Sequence, residues 1–131
     1  MHCTSCGKAM LSQMPTEQVE AIIKKHGLPY ITANTFTNYD AFFEELARCR
    51  ARGYAIDNEE ETVGVKCIAV AIRTSRGNVA GAMSISGSVL TMQNELNDKY
   101  AALLSRACNA LSPYANLFPA IQLLDSSGQP C

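Results

Sequence analysis

VGVKCIAVAIRTSRGNVAGAMSISGS, residues 63–88, is the stretch that decides the fold of this chain. Two runs of β-branched and small apolar residues flank Ser-Arg-Gly at 75–77, and this pattern predicts a β-hairpin. A tight turn at Ser75-Arg76 would place Cys67 opposite Ser84, and one at Arg76-Gly77 would place it opposite Ser86. In either register all three side chains lie on one face of the sheet, because side chains alternate between the two faces along a strand.

The two faces of this hairpin differ in the size of their side chains. The bulky face carries Ile68, Val70, Ile72, Val79, Met83 and Ile85. The small face carries Val65, Cys67, Ala69, Ala71, Ala80, Ala82, Ser84 and Ser86. The bulky face is expected to lie on the core. The small face leaves room for a closely packed helix or for a small polar ligand; the serines favour a ligand, because buried hydroxyls need hydrogen-bonding partners.

Helical patterns precede and follow the hairpin. They predict helices over residues 4–14, 15–27 and 37–53, with Thr4 or Ser5, and then Thr37 with Asp40, as capping residues. The last helix is expected to begin at about Met92, with Thr91 as its cap and with Leu96, Tyr100, Leu103, Leu104, Ala107 and Leu111 on its buried side. A short strand at YAI and an acidic turn come before the hairpin. The order α-α-α-β-β-β-α predicts an α+β fold, one antiparallel sheet with helices packed on it.

Composition limits the classes of function. The 131-residue chain suits a single domain, and its formal net charge of −1 offers no basic surface for nucleic acid. The longest apolar run, CIAVAI, is far shorter than the ~20 residues of a membrane span. No export signal is evident, so we expect a cytoplasmic protein without a membrane partner, and its six cysteines as free thiols.

Cys3 and Cys6 form a Cys-x-x-Cys pair beside His2. A closed zinc site needs four ligands, and a thioredoxin-like site follows a strand, so we expect neither a metal nor a cofactor here. The pair instead marks the start of a helix. Free backbone N–H groups near Gly7 and Lys8 are then able to bind a carboxylate, although an ordinary capped helix is the alternative.

Four motifs together resemble one known family. HCTSCGKA at 2–9, RARGYAIDNEE at 50–60, GVKCIA at 64–69 and SISG at 84–87 resemble, in that order, the effector-binding domain of IclR-type bacterial transcriptional regulators. The resemblance covers residues 2–111. It implies a GAF-like (profilin-like) fold and a small organic effector, commonly a 2-oxo acid such as glyoxylate or pyruvate, or a sugar acid.

The resemblance also implies ligand-binding positions, and the helix-end argument adds Lys8. The predicted ligand-binding residues are Gly7, Lys8, Asp57, Cys67, Ser84 and Ser86. In this hypothesis the carboxylate of the acid takes the N–H groups of Gly7 and Lys8, and its carbonyl or hydroxyl meets Asp57 and Cys67. Three of these residues also have a plainer interpretation: Asp57 as a solvated turn aspartate, Cys67 as a small buried hydrophobic residue and Lys8 as a solvated lysine. The neighbouring acidic residues 59–61 are expected to form a solvated turn.

Two other functions stay open. GAF-like folds also host thiol enzymes, the free methionine sulfoxide reductases, and Cys67 would then be the nucleophile. We expect no catalysis, because no histidine is placed near Cys67 and a neighbouring Asp57 would raise the pKa of the thiol. The other alternative is a structural oligomerisation module that associates through its C-terminal helix.

The family's winged helix-turn-helix, and the helix and hairpin that precede the His-x-Thr motif, have no counterpart in this chain. We therefore expect residues 1–131 to form one effector-binding domain truncated at its N-terminus, with a loose tail at 119–131. Contact with DNA would require the winged helix-turn-helix. An unpaired sheet edge would favour self-association into a dimer or tetramer.

Overall fold

A computed structural model describes residues 1–117 of the chain. Its helices and strands are α1 (Ser5–Leu11), α2 (Thr16–His26), α3 (Tyr39–Arg52), β1 (Ala55–Asn58), β2 (Val65–Arg73), β3 (Val79–Ser88) and α4 (Asn97–Leu111), with 3-10 turns at Asn94–Leu96 and Ser112–Leu117. This order confirms the predicted α+β class. The tail expected at 119–131 lies outside the described residues.

The three strands form one antiparallel sheet in the order β1-β2-β3. Cys67 pairs with Ser86, and Ala69 pairs with Ser84. The second of the two predicted registers is therefore the right one.

The turn of the hairpin is wider than the predicted two residues. The register shifts between Ile72 and Arg73. The N–H of Thr74 then donates to the carbonyl of Asn78 at 2.8 Å, and the N–H of Gly77 donates back to Thr74 at 2.9 Å. Gly77 adopts φ 83°, a left-handed conformation that suits glycine. The extra residues of the loop add twist at the hairpin end of the sheet.

The bulky face of the sheet packs against α4, as expected. Ile68 and Val70 are buried with Ala101, Leu104 and Cys108 of that helix. These helix residues recur at intervals of three and four, so they form one stripe. Burial of this stripe removes apolar surface from water, and that is the main force that holds α4 on the sheet.

The small face is covered in its middle by α1. Ala9 of α1 is buried with Ala55 and Ala69 of the sheet and with Cys49 of α3. Small side chains on both surfaces let the helix approach the sheet closely. The explanation by a closely packed helix is therefore right for the middle of this face, while Ser84 and Ser86 beyond it are exposed.

The predicted start of α4 is wrong, and its predicted buried face is only partly right, since Leu104 and Tyr100 pack on the core as expected. The helix begins at Asn97 because the hydroxyl of Thr91 donates to the carbonyl of Ser88 at 3.0 Å and holds a turn instead of a helix cap. Leu103 and Leu111 are 51% and 39% exposed. The smaller Ala101 and Cys108 face the sheet in their place, because they permit a closer approach.

The caps of the earlier helices are partly as predicted. Thr4 caps α1, which ends at Leu11 and not at residue 14. Asn38, and not Thr37, caps α3, since its side-chain oxygen accepts from the N–H of Ala41 at 3.0 Å. A second apolar cluster joins α1, α2 and α3 through Leu11, Val19, Ile23, Phe42 and Leu46.

Candidate functional site

Four of the six predicted ligand-binding residues lie together on the small face. Asp57 of β1 pairs with Cys67 of β2, and Cys67 pairs with Ser86 of β3, so these three form one row across the sheet. Ser84 lies in the next row, opposite Ala69. Directly paired residues of antiparallel strands share a face, so all four point to the same side. Asp57, Cys67, Ser84 and Ser86 are named the small-face site.

The small-face site combines a buried floor with an open rim. Asp57 is 2% exposed and Cys67 is half-buried, whereas Ser84 and Ser86 are exposed. Cys6 of α1 lies close enough to Cys67 to influence the pKa of its thiol. The first turn of α1 therefore borders the site, and the two hydroxyls line the side that solvent reaches.

Asp57 is not a solvated turn residue. Its side chain accepts from the N–H of Glu60 at 2.8 Å and also bonds the N–H of Glu61. Burial raises the pKa of Asp57, although these hydrogen bonds and Lys8 act in the opposite direction. The carboxyl group holds the turn between β1 and β2 and keeps lone pairs for one more donor.

Cys67 carries a protonated thiol at neutral pH. Burial raises the pKa of this thiol, and Asp57 and Glu61 raise it further, while a hydrogen bond with Ser86 opposes the change. A thiol attacks as its thiolate, so this environment makes Cys67 a poor nucleophile. As a neutral group it is able to donate to an oxygen of a ligand.

The predicted role of Gly7 and Lys8 as amide donors is wrong. The N–H of Gly7 donates to Oγ1 of Thr4, and the N–H of Lys8 donates to the carbonyl of Thr4, both at 3.0 Å. Thr4 therefore satisfies both donors. A Cβ atom at Gly7 would collide with the carbonyl group of Met1. This glycine thus makes room for the chain's own backbone.

The side chain of Lys8 is fully buried, so the interpretation of a solvated lysine is wrong. Its Nζ lies 2.5 Å from Oε1 of Glu60 and 3.6 Å from Oε1 of Glu45. It also lies 5.1 Å from the centre of the Phe36 ring. Glu60 is only 4% exposed, so the acidic turn is not wholly solvated either. Burial of these charges is tolerated because each has an opposite charge beside it.

Lys8, Glu45, Glu60 and Arg52 form a buried charge cluster that joins α1, α3 and the turn after β1. Glu45 accepts from Nη2 of Arg52 at 2.8 Å. Burial by itself would raise the pKa of Glu45, but Lys8, Arg48 and Arg52 together lower it. Burial raises the pKa of Glu60 to about 7, against the opposing effect of Lys8. The second oxygen of Glu60, Oε2, has no hydrogen-bond partner within residues 1–117.

Two threonines that the sequence analysis did not single out hold the same turn. The hydroxyl of Thr32 donates to the carbonyl of Glu59, and that of Thr35 donates to the carbonyl of Glu60, both at 2.6 Å. They lie in the segment between α2 and α3, where no motif identifies them. The burial of Lys8 did have a signal in the sequence, because it lies between the small residues Gly7 and Ala9 on a helix that must pack on a sheet.

No group of three or more His, Cys, Asp or Glu side chains within residues 1–117 is arranged to hold a metal ion. In the same part of the chain, no helix has the length and apolar character needed to cross a membrane. Cys3, Cys6, Cys49, Cys67 and Cys108 are free thiols. Burial raises the pKa of Cys49 to about 11.

Comparison of the sequence with known families and proteins gives a consistent result. The family model for the C-terminal part of the bacterial transcriptional regulator IclR matches residues 1–113. The HTH-type transcriptional regulator BhcR of Paracoccus denitrificans is 37% identical over 94 residues, 72% of this chain and 34% of that protein. The transcriptional repressor IclR of Escherichia coli K12 is 31% identical over 112 residues, 86% of this chain and 41% of that protein. The match thus spans less than half the length of these relatives.

Solved structures agree with the sequence relatives. The inducer-binding domain of the transcription factor PobR from Acinetobacter, a double mutant in complex with 3-hydroxybenzoic acid, has a TM-score of 0.80 and 32% identity, covering 86% of this chain and 65% of that one. The C-terminal domain of E. coli KdgR has a TM-score of 0.80 and 32% identity, covering 85% of this chain and 68% of that one. The relatives are transcriptional regulators and not enzymes, which confirms that expectation.

Proposed function

This chain belongs to the family of C-terminal domains of bacterial IclR transcriptional regulators, and we propose that it binds a small 2-oxo acid, hydroxy acid or sugar acid at the small-face site. The observation that carries the proposal is the cross-strand row of Asp57, Cys67 and Ser86, with Ser84 beside it. Two exposed hydroxyls, a protonated thiol and a buried carboxyl group converge on one patch of a sheet. Such a set of donors beside one acceptor suits a small, oxygen-rich anion.

The chemistry assigns each group a different part of the ligand. With the amides of Gly7 and Lys8 already satisfied, the hydroxyls of Ser84 and Ser86 are the donors left for the carboxylate. The Cys67 thiol donates to the 2-oxo or 2-hydroxy oxygen. Asp57 accepts from a hydroxyl of the ligand or, once protonated, donates to its oxygen. This role of Asp57 disfavours ligands that lack an oxygen next to the carboxylate.

In a full-length regulator the domain would act as a sensor. The acid would change the affinity for DNA only if it binds one arrangement of the protein better than another. DNA would be bound by a winged helix-turn-helix, as the relatives named HTH-type regulators suggest. A protein that regulates genes in this way works in the bacterial cytoplasm.

We also propose that the chain self-associates into a dimer or tetramer. Within the described residues β3 has β2 as its sole strand neighbour, so its other edge has free N–H and C=O groups. The segment Val79–Ser88 contains neither a charged residue nor proline, the features that usually protect an edge strand. Analytical ultracentrifugation tests this, and a strictly monomeric chain at high concentration would contradict it.

An amide NMR titration with glyoxylate, pyruvate and gluconate tests the ligand site. Saturable shifts are expected at Cys67, Ser84 and Ser86. Ser86→Ala should weaken binding, while Ser105→Ala, on α4 across the sheet, is the matched control and should bind as the wild type does. A folded sample whose spectrum stays unchanged through the whole panel would rule out this site and favour the assembly module.

A further inference from the structure

A cavity of about 280 Å³ lies at the other end of α1, away from the small-face site. The last turn of α1, the ends of α3 and α4 and the end of β2 surround it. Its lining includes Arg50, Tyr54, Ala71, Arg73, Cys108 and Asn109. None of the predicted ligand-binding residues is part of this lining. The contacts of Ala9 with Ala69 lie between this cavity and the small-face site.

The cavity exists because β2 is longer than β1. The first residue of β1, Ala55, pairs with Ala69, so the end of β2 runs on without a partner on that side. The carbonyl of Val65 accepts from the N–H of Glu59 at 3.0 Å, on the side of β2 that faces β1. Peptide groups alternate in direction along a strand, so the N–H and C=O of Ala71 point to that side as well. The floor of the cavity therefore offers a backbone donor and acceptor.

The cavity has an excess of positive charge. Arg50 and Arg73 line it, and its described lining contains no Asp or Glu. Nε of Arg50 donates to the carbonyl of Ser12 at 2.7 Å, and Nη2 donates to the carbonyl of Met14 at 3.2 Å; these bonds orient the guanidinium without neutralising its charge. Within residues 1–117 neither arginine forms an ion pair with a carboxylate. Tyr54, another lining residue, donates its hydroxyl to the carboxylate of Asp98, which is not part of the lining.

The rest of the wall has an apolar part, formed by Val70, Ala71 and Cys108, and a polar part, formed by Ser12, Gln13, Asn109 and Ser112. Val70 and Cys108 are buried, and Ala71 is half-buried. A volume of about 280 Å³ lies just below the range of about 300–1,000 Å³ for ligand pockets. The space suits a single ring or a short chain and is too small for a nucleotide.

We propose that this cavity is a second ligand site, which binds a small carboxylic acid with an apolar body. Arg73 and the N–H groups of Arg50 that do not bond Ser12 or Met14 hold the carboxylate at the mouth, because guanidinium and carboxylate form charge-assisted hydrogen bonds. The apolar body lies on Val70, Ala71 and Cys108. This site shares no residue with the small-face site, so binding at each is followed through different amides.

Benzoate is the probe, and the full chain is titrated while its amide NMR spectrum is recorded. Saturable shifts are expected at Ala71, Arg73 and Asn109, with Ser84 and Ser86 unmoved. Arg73→Gln should weaken the affinity by about tenfold or more, the effect of one lost charged hydrogen bond. Arg76→Gln removes the same charge from an exposed position in the hairpin turn, outside the lining, and should leave the affinity unchanged.

Two further probes define the ligand class. Benzamide has the same ring and no charge, and it should not bind. Inorganic phosphate should not displace benzoate, because it has no apolar part. The proposal is overturned if benzoate shifts only Ser84 and Ser86, if the shifts do not saturate, or if both arginine variants lose affinity equally. Because the two sites have different reporter amides, failure here is distinguishable from failure at the small-face site.

Discussion

Replacement of Lys8 by methionine tests whether the buried charge cluster holds the turn after β1 in place. Lys8 is 0% exposed and has Glu60 at 2.5 Å and Glu45 at 3.6 Å. Methionine keeps the length and apolar stem of the side chain but removes the charge. Glu45 would retain Arg48 and Arg52, whereas Glu60 would lose its only ionic partner within the described residues.

The expected loss follows from one orphaned carboxylate. Removal of one partner of a buried ion pair destabilises a protein by roughly 3–5 kcal/mol. Glu60 is able to escape part of this penalty by binding a proton, since burial already raises its pKa to about 7. We therefore expect Lys8→Met to lower the free energy of unfolding by about 3 kcal/mol at pH 8, a fall in Tm of roughly 10 °C. At pH 5 the loss should be smaller, because Glu60 is protonated in both proteins.

Urea unfolding followed by circular dichroism measures this loss. Lys24→Met, on the exposed side of α2, is the matched control and should change the free energy of unfolding by less than about 0.5 kcal/mol. The double variant Lys8→Met/Glu60→Gln should recover most of the loss, because neither charge is then left unpaired. The reasoning is refuted if Lys8→Met is as mild as Lys24→Met at pH 8, or if the double variant is no more stable than the single one.

Three further outcomes are expected. The folded-state pKa of Glu60 is raised from 4.5 to about 7, so the protonated carboxyl stabilises the fold fully below pH 4.5, and this stabilisation is lost as the pH rises through 7. In chemical unfolding, the free energy of unfolding of the wild type should fall by about 3 kcal/mol relative to that of Glu60→Gln across this window. Gly7→Ala should destabilise the chain by about 1 kcal/mol or more in thermal unfolding, because the new methyl group meets the Met1 backbone. In the control Gly81→Ala the new methyl group meets no atom within 4 Å, and the same measurement should show a small effect. Glyoxylate should bind more tightly as the pH falls towards the raised pKa of Asp57, since a bound anion raises this pKa further and binding then takes up a proton. Calorimetry that finds the same pH dependence in Asp57→Asn would contradict this.

The buried charge cluster connects stability with the proposed sensing. Asp57 holds the N–H of Glu60, and Glu60 in turn lies against Lys8. Any change in the protonation of Glu60 therefore acts on the turn that Asp57, a proposed ligand-binding residue, holds in place. Thr32 and Thr35 fasten the carbonyl groups of the same turn from another segment, which limits how far it moves.

Local features of the sequence were enough for most of the architecture. Alternation along the hairpin places Cys67, Ser84 and Ser86 on one face in either register, because the rule depends only on neighbouring residues. Thr4 as a cap is likewise local, since its side chain reaches an amide three residues away. The motifs identified the family, and the family model and relatives confirm it.

Tertiary packing decided the rest. The register depended on a loop whose width a tripeptide does not reveal. The buried face of α4 followed from how closely small residues approach the sheet, and not from which residues are most apolar. Lys8 and Glu60 stand 52 residues apart, and each by itself has the character of a solvated charge. Their burial together is favourable only after α1, α3 and the turn after β1 have been packed, because a charge leaves water only where the fold supplies its partner.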